Sequence, residues 1–230
     1  MNKTAFAVVL ALTAAPAGAQ VEAYQTARAA VDTSRDAQAA QASGRALDAT
    51  LVAMNDGVDA GGRVTAVLNE NKIAVRLAKQ SEAVKTVVEG GKTEIRLSDA
   101  LPAHPRVYVP LIASEAAKLM YADMPACAER SYMRKATVAR AFYELGGEFK
   151  ELPLVDGDRV DAVKAAVSAW TDGTESALDA AGEADGVPSI MDLEAKKPDA
   201  KTADALRAAN SRFTAFLMDE MDVRREATGR

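Results

Sequence analysis

Side chains that bind metals or form disulfides are nearly absent from this chain of 230 residues. It contains one cysteine, Cys127, and one histidine, His104. A single cysteine excludes a disulfide within the chain, and one histidine is too few for the usual catalytic zinc site, which needs about three protein ligands. Because Cys127 lies between two alanines near the start of a predicted helix, we expect a buried, unreactive side chain.

Aromatic residues and an excess of either charge are also scarce. Phe, Trp and Tyr make up 5% of the chain, and 28 Lys and Arg residues are interleaved with 33 Asp and Glu residues. Nucleic-acid-binding proteins usually carry a cluster of basic residues, so we expect no nucleic-acid partner. Abundant alanine with few aromatics favours helices that pack through small side chains.

The only long apolar run lies at the N-terminus. Residues 1–4 carry one positive charge, residues 5–15 are apolar, and the small residues Ala17 and Ala19 precede Gln20. This arrangement is typical of a secretory signal peptide, and it is too short for a membrane span, which needs about 20 apolar residues. We therefore expect cleavage near Gln20, a periplasmic or secreted protein, and no membrane span afterwards.

The middle of the chain has the pattern of a small sheet. Residues 73–77 and 93–97 alternate apolar and polar side chains, and residues 83–88 are rich in β-branched side chains, which predicts three short strands. Gly90-Gly91 separates the last two runs and indicates a tight turn. Those two strands should therefore form an antiparallel hairpin.

Helical patterns precede and follow this sheet. Two helices, each beginning near a proline that suits a first helical turn, are predicted at residues 105–122 and 126–146. The predicted fold class is α+β: mostly helical, with a small antiparallel sheet of about three strands (residues 73–97) packed on these helices. The predicted segments are a signal peptide (1–19), an N-terminal helical region (20–70), an α+β core (71–181), a linker (182–200) and a C-terminal helix (201–230).

Three polar residues interrupt the apolar pattern of the first of these helices. Residues 109–122 read V-P-L-I-A-S-E-A-A-K-L-M-Y-A, in which Ser114, Glu115 and Lys118 fall among apolar side chains. Glu115 and Lys118 are three residues apart, and Ser114 and Lys118 are four apart. All three can therefore meet on one side of a helix.

The order of strand, polar helix and second long helix resembles the minimal zincin metallopeptidases. In that family a strand of the type I-x-L leads to a proline-led helix that carries H-E-x-x-H, and a further ligand follows on the next helix. Here Ile95-Arg96-Leu97 leads to S-E-A-A-K at residues 114–118, and Glu129 stands where the further ligand often lies. The resemblance covers residues 70–147 and implies a zincin-like core in which only Glu115 keeps its motif identity.

The residues at the ligand positions argue against catalysis. Two histidines at i and i+4 can hold zinc, but Ser114 and Lys118 stand there, and a protonated lysine has no lone pair. Their spacing also differs from the S-x-x-K spacing of serine–lysine enzymes. We therefore expect no metal, no other cofactor and no catalytic residue. Our hypothesis is that the Lys118 ammonium replaces the zinc charge and neutralises Glu115 and Glu129.

Three functions fit these residues. The first is an exported, non-catalytic zincin-like pseudopeptidase that acts as a structural or peptide-binding domain, with an extended peptide pairing to residues 93–97 as an exposed edge strand. The second is a helical cell-envelope interaction protein without peptidase ancestry, which needs long exposed apolar stripes on its terminal helices. The third is an unrecognised metal-independent hydrolase, which needs Ser114, His104 or Glu129 within hydrogen-bond reach in one pocket.

Overall fold

The computed structural model of the protein describes residues 40–57, 59–145, 178, 181–183 and 185–228. The chain divides into two compact units, residues 1–44 and residues 45–230. In the first unit the described residues, 40–44, are helical. The predicted signal peptide lies outside the described residues.

The three predicted strands form one sheet. They are β1 (Ala74–Ala78), β2 (Val84–Glu89) and β3 (Lys92–Ser98), in the spatial order β1-β3-β2. Gly90 and Gly91 form the turn between β2 and β3 with φ of 57° and 75°, a left-handed conformation that glycine adopts at little cost. The predicted antiparallel hairpin is confirmed.

The expectation of an entirely antiparallel sheet is wrong, because β1 pairs with β3 in parallel. The hairpin reverses the chain, and β3 then inserts between β1 and β2. Alternation of apolar residues reports which face of a strand is buried and says nothing about the direction of its neighbour. The fold class itself is confirmed as mostly helical α+β with a sheet of three strands.

Helices supply most of the second unit. Helix α3 packs on β2 and β3, and α4 packs on α3. The described helices of six residues or more are α1 (residues 45–55), α2 (Ala60–Glu70), α3 (Pro105–Met120), α4 (Ala128–Glu144), α5 (Ile190–Ala195) and α6 (Ala200–Thr228).

The start of α3 follows the sequence prediction. Pro105 lies in the first helical turn, where its missing N–H costs nothing. His104 is the N-cap residue, and its Nδ1 accepts a hydrogen bond from the Arg106 N–H at 3.1 Å. Pro110 lies inside the helix, so Pro105 marks its start.

Two other boundaries differ from the prediction. Helix α4 begins at Ala128 with Cys127 as its N-cap residue, so Pro125 lies before the helix. The predicted linker contains α5, whose start is stabilised by a reciprocal capping box between Ser189 and Asp192. This capping signal was present in the sequence but was obscured by the glycine and proline residues around it.

Two apolar clusters form the core. The first joins the sheet to α2 and α3 through side chains such as Ile95, Leu97 and Ile112, which are completely buried. The second joins α4 to α6, where the rings of Tyr132 and Phe213 meet edge to face at 5.9 Å. Full burial of each such side chain contributes about 1.5–3 kcal/mol, so α6 is held firmly on α4.

The start of α2 depends on close backbone packing. The Glu144 carboxylate accepts hydrogen bonds from the backbone N–H groups of Asp59 at 2.6 Å and Gly61 at 2.7 Å. A Cβ atom on Gly62 would lie only 2.2 Å from the carbonyl oxygen of Gly57. Gly62 is therefore required here for lack of space.

Candidate functional site

Glu115 lies where α3 packs on β2, and its side chain is 3% exposed. One carboxylate oxygen accepts a hydrogen bond from the Thr86 hydroxyl at 2.6 Å. The other accepts one from the Lys118 ammonium at 2.5 Å. The Lys118 side chain is 40% exposed, so it connects a buried carboxylate to the solvent. Through its hydrogen bonds to Thr86 and Lys118, Glu115 links β2 to α3.

Glu129 lies at a different place. Both of its carboxylate oxygens accept the backbone N–H of Ile190, at 3.1 and 3.0 Å. This position suits a carboxylate because the start of a helix, here α5, carries a partial positive charge. Among the described residues, Lys118 forms its ion pair with Glu115. The predicted pairing of Lys118 is therefore confirmed for Glu115 and wrong for Glu129.

The other predicted site residues do not assemble into a catalytic group. Ser114 is half-buried on α3, while His104 caps the start of that helix. No hydrogen bond between described residues joins Ser114, His104 and Glu129. The arrangement that the hydrolase alternative requires is therefore not observed in this part of the chain.

The positions that correspond to H-E-x-x-H do not fit a zinc ion. The protonated Lys118 side chain has no lone pair for a metal ion. Its ammonium forms an ion pair with the Glu115 carboxylate instead. Within the described ranges, no group of three or more His, Cys, Asp or Glu side chains could hold a metal ion. The donor set needed for a zincin centre is thus missing from these positions.

The prediction that residues 93–97 form an exposed edge strand is wrong. They belong to β3, which hydrogen-bonds to β1 on one side and to β2 on the other. No peptide can add to a strand that is paired on both sides. In the described sheet, the edge strand that lies against α3 is β2.

The hairpin register determines which backbone groups of β2 bond to β3. At one end the Ser98 N–H donates to the Ala83 carbonyl at 3.0 Å. At the other, Glu89 and Lys92 face each other across the two-residue turn. Directly hydrogen-bonded pairs alternate with non-bonded pairs in an antiparallel ladder. Every second residue from 83 to 89 therefore uses its backbone to bind β3.

The alternate residues of β2 direct their backbone polar groups away from β3. Thr86 and Val88 direct their backbone N–H and C=O groups away from β3. No hydrogen bond from these backbone groups to another described residue is observed. At Thr86 and Val88 the outer edge of β2 therefore presents donors and acceptors for an additional strand.

An open cleft lies on each face of this edge. The cleft on the α3 side has a volume of about 360 Å³, and the one on the opposite face about 530 Å³. The first is lined by Glu82, Lys85, Thr86, Glu115, Lys118 and Leu119. Among the residues that line the second are Lys85, Val87, Glu89 and Arg96. The side chains of a strand alternate between its two faces. An added strand would therefore have a cleft for the side chains on each of its faces.

Cys127 is 1% exposed, so the prediction of a buried cysteine is confirmed. Burial raises the pKa of its thiol, and the charge of Glu129 adds to this effect. Because the thiolate is the reactive form, both effects make Cys127 a poor nucleophile.

A second charged group, which the sequence did not indicate, surrounds the buried Arg140. Arg140 on α4 is 1% exposed and donates hydrogen bonds to Asp59 and Asp219, each at 2.9 Å. Arg63 donates to the same two carboxylates at 2.6 Å. Burial disfavours the charge of Arg140, but its bonds to Asp59 and Asp219 outweigh this effect and raise its pKa. Arg63 and Asp219 are 156 residues apart in sequence, so no local spacing could indicate the group.

The charged group around Arg140 has a structural role. It joins the start of α2 to α4 and α6, and the Arg140 guanidinium also lies 5.4 Å from the centre of the Phe216 ring. The two carboxylates compensate the buried charge of Arg140, while the Arg63 and Asp219 side chains are 45% and 49% exposed. The site beside β2 is therefore the stronger candidate for binding.

Comparisons with known proteins give no match for this chain, whether with protein-family models, curated proteins or solved structures. Among the described residues, none of the helices has the length and apolar character needed to cross a membrane.

Proposed function

We propose that this chain is an exported, non-catalytic domain of zincin-like architecture that binds an extended polypeptide segment as an added strand on β2. The observation that carries the proposal is the outward-facing backbone of Thr86 and Val88, held against α3 by the Thr86–Glu115 hydrogen bond. Backbone hydrogen bonds supply affinity in such strand addition, and alternate side chains supply specificity. The proposed periplasmic or secreted location rests on the N-terminal sequence.

The absence of catalysis is part of the proposal. Glu115 is the one motif residue shared with the zincin pattern, and its two oxygens bind Thr86 and Lys118. These contacts fit a positioning role, in which Glu115 holds the edge strand beside the helix. A domain of this kind would keep a surface for extended segments without the chemistry to cleave them.

Exposure along the edge supports binding. Val88 is 69% exposed and Leu119 37% exposed, so an added strand would cover apolar surface as well as form hydrogen bonds. Covering apolar surface contributes about 25 cal/mol per Å². The alternative of a helical cell-envelope interaction protein is less well supported, because α6 packs its aromatic side chains onto α4.

A peptide selection tests the binding proposal. The probe is a phage-displayed library of unbiased ten-residue peptides, selected on the purified protein. The test variant is Val88→Pro, since proline removes an outward N–H without breaking a bond to β3. Val88→Ala is the matched control, because it shortens the same side chain and keeps the N–H.

We expect selected peptides to bind the wild type and Val88→Ala, and to bind Val88→Pro on the order of tenfold more weakly or not at all. Circular dichroism establishes that each variant is folded. Failure of a monomeric sample to enrich any peptide would refute the proposal, as would peptides that bind a folded Val88→Pro as well as the wild type.

Metal analysis and digestion assays test the non-catalytic part. We expect the purified protein to contain no stoichiometric zinc and to leave a mixture of unstructured peptides uncut, with or without added zinc. One bound equivalent of zinc would overturn this part of the proposal. Cleavage that is lost in Glu115→Gln would also overturn it.

A further inference from the structure

The strand β2 carries charges that make its outer edge complementary to itself. Lys85 and Glu89 lie on the same face as Val87, and their side chains are 56% and 65% exposed. If two copies of β2 pair antiparallel about a two-fold axis at Val87, Lys85 of each copy lies opposite Glu89 of the partner subunit. Two opposite-charge pairs then flank a contact between the two Val87 side chains.

The backbone allows this register. With the axis at Val87, the outward groups of Thr86 in each copy meet those of Val88 of the partner subunit and form about four N–H···O bonds. An axis at Thr86 or Val88 also brings outward groups together. Lys85 would then lie opposite Val87 or Gly91, and both charge pairs would be lost. The charges therefore select one register among those that the hydrogen bonds permit.

We infer that the segment bound at the edge of β2 is β2 of a second copy of this chain. The protein is then a two-fold symmetric dimer in which two three-stranded sheets join into one continuous sheet. This inference rests on the proposed function, because it names the partner of the same edge.

Within a single copy, Lys85 and Glu89 form contacts that dimerisation would disturb little. Lys85 pairs with Glu82 at 3.7 Å, with both side chains about half exposed, and such exposed pairs contribute little. Glu89 accepts a hydrogen bond from Arg96 at 2.7 Å. It has a second carboxylate oxygen for Lys85 of the partner subunit, so the dimer adds a contact to the existing one.

Sedimentation equilibrium of the purified protein tests the inference through charge reversal. Lys85→Glu alone places two negative charges opposite each other at both pairs, and Glu89→Lys alone places two positive charges there. An equimolar mixture of the two variants restores opposite charges at both pairs of a mixed dimer. A loss of general stability would not be repaired by mixing, so the mixture is the decisive measurement.

We expect the wild type to dimerise, each variant alone to do so on the order of tenfold more weakly or worse, and the mixture to recover the wild-type affinity. Val88→Pro should be monomeric and Val88→Ala dimeric. A wild type that stays monomeric at all accessible concentrations overturns the inference, as does a mixture that shows no recovery.

The two proposals can fail separately. A monomeric wild type whose selected peptides still require the Val88 N–H would refute the second copy as partner and support strand addition at β2. A dimer that persists in Val88→Pro would place the interface elsewhere and also refute the inference. Peptides that bind independently of Val88 would count against the proposed function.

Discussion

Replacing Lys118 with methionine removes the ammonium from Glu115 while retaining a long apolar side chain. The Glu115 carboxylate is 3% exposed and would keep the Thr86 hydroxyl as a hydrogen-bond donor. Removing one partner of a fully buried ion pair costs about 3–5 kcal/mol. Because Lys118 is 40% exposed, water can reach the vacated position, and we reduce the expected cost to about 2 kcal/mol.

Removing both charges should be better tolerated than removing one. In the double variant Glu115→Leu with Lys118→Met, no buried carboxylate remains to be compensated. The Thr86 hydroxyl loses its acceptor, which costs about 1 kcal/mol. We therefore expect the double variant to be more stable than Lys118→Met alone by about 1 kcal/mol.

The chain offers a matched control pair with the same spacing. Asp204 and Arg207 on α6 also form an i, i+3 ion pair, with side chains 72% and 68% exposed. Exposed pairs contribute at most about 1 kcal/mol and often nothing measurable. Arg207→Met should therefore lower the free energy of unfolding by less than about 0.5 kcal/mol.

Urea unfolding followed by circular dichroism at pH 7 measures these differences. A protein of this size has an m-value of about 2 kcal/mol/M, so Lys118→Met should lower the unfolding midpoint by about 1 M. If Lys118→Met shifts the midpoint no further than Arg207→Met, Lys118 does not compensate a buried carboxylate. The proposed positioning role of Glu115 would then lose its main support.

Three further predictions concern other parts of the chain. The hydrogen bond from Arg63 lowers the pKa of Asp219, so its stabilisation is complete above its unfolded pKa of about 4 and is lost as the pH falls through the lower folded value. Urea midpoints of the wild type should consequently fall more steeply below pH 4 than those of Asp219→Asn; equal slopes would contradict this. Cys127 should react with iodoacetamide at pH 8 at least about a hundredfold more slowly in the native than in the urea-unfolded protein, and rapid native alkylation would contradict its burial. Gly62→Ala should cost about 1–3 kcal/mol in thermal unfolding because its Cβ meets a backbone oxygen, whereas Gly44→Ala, with no atom within 4 Å of its Cβ, should not destabilise; equal melting temperatures would refute the packing argument.

Features that depend on near neighbours in the chain were predictable. The alternation in residues 73–97 gave three strands, Gly90-Gly91 gave the hairpin, and Pro105 marked the start of α3. The spacing of Glu115 and Lys118 predicted that the two side chains can meet, and they form an ion pair. Each of these follows from backbone sterics or from the helical repeat, which act over a few residues.

Partners that are distant in sequence were not predictable. Thr86 meets Glu115 across 29 residues, and Glu129 meets the N–H of Ile190 across 61. Thr86 lies on the helix-facing side of β2 among other β-branched residues. Its residue type and position do not indicate that its hydroxyl binds a carboxylate. A side chain's partner is set by which elements pack together, and that choice leaves no periodic pattern in the sequence.

The sequence by itself determined the three strands, the hairpin and the helices α3 and α4, and it placed Glu115 and Lys118 on one side of α3. Only the tertiary structure decided that β3 is the middle strand and β2 the edge, and that Glu129 caps α5 away from Lys118. The physical reason is that local periodicity records burial, whereas strand order and charge pairing depend on how whole elements pack. That order moves the predicted binding edge from residues 93–97 to β2.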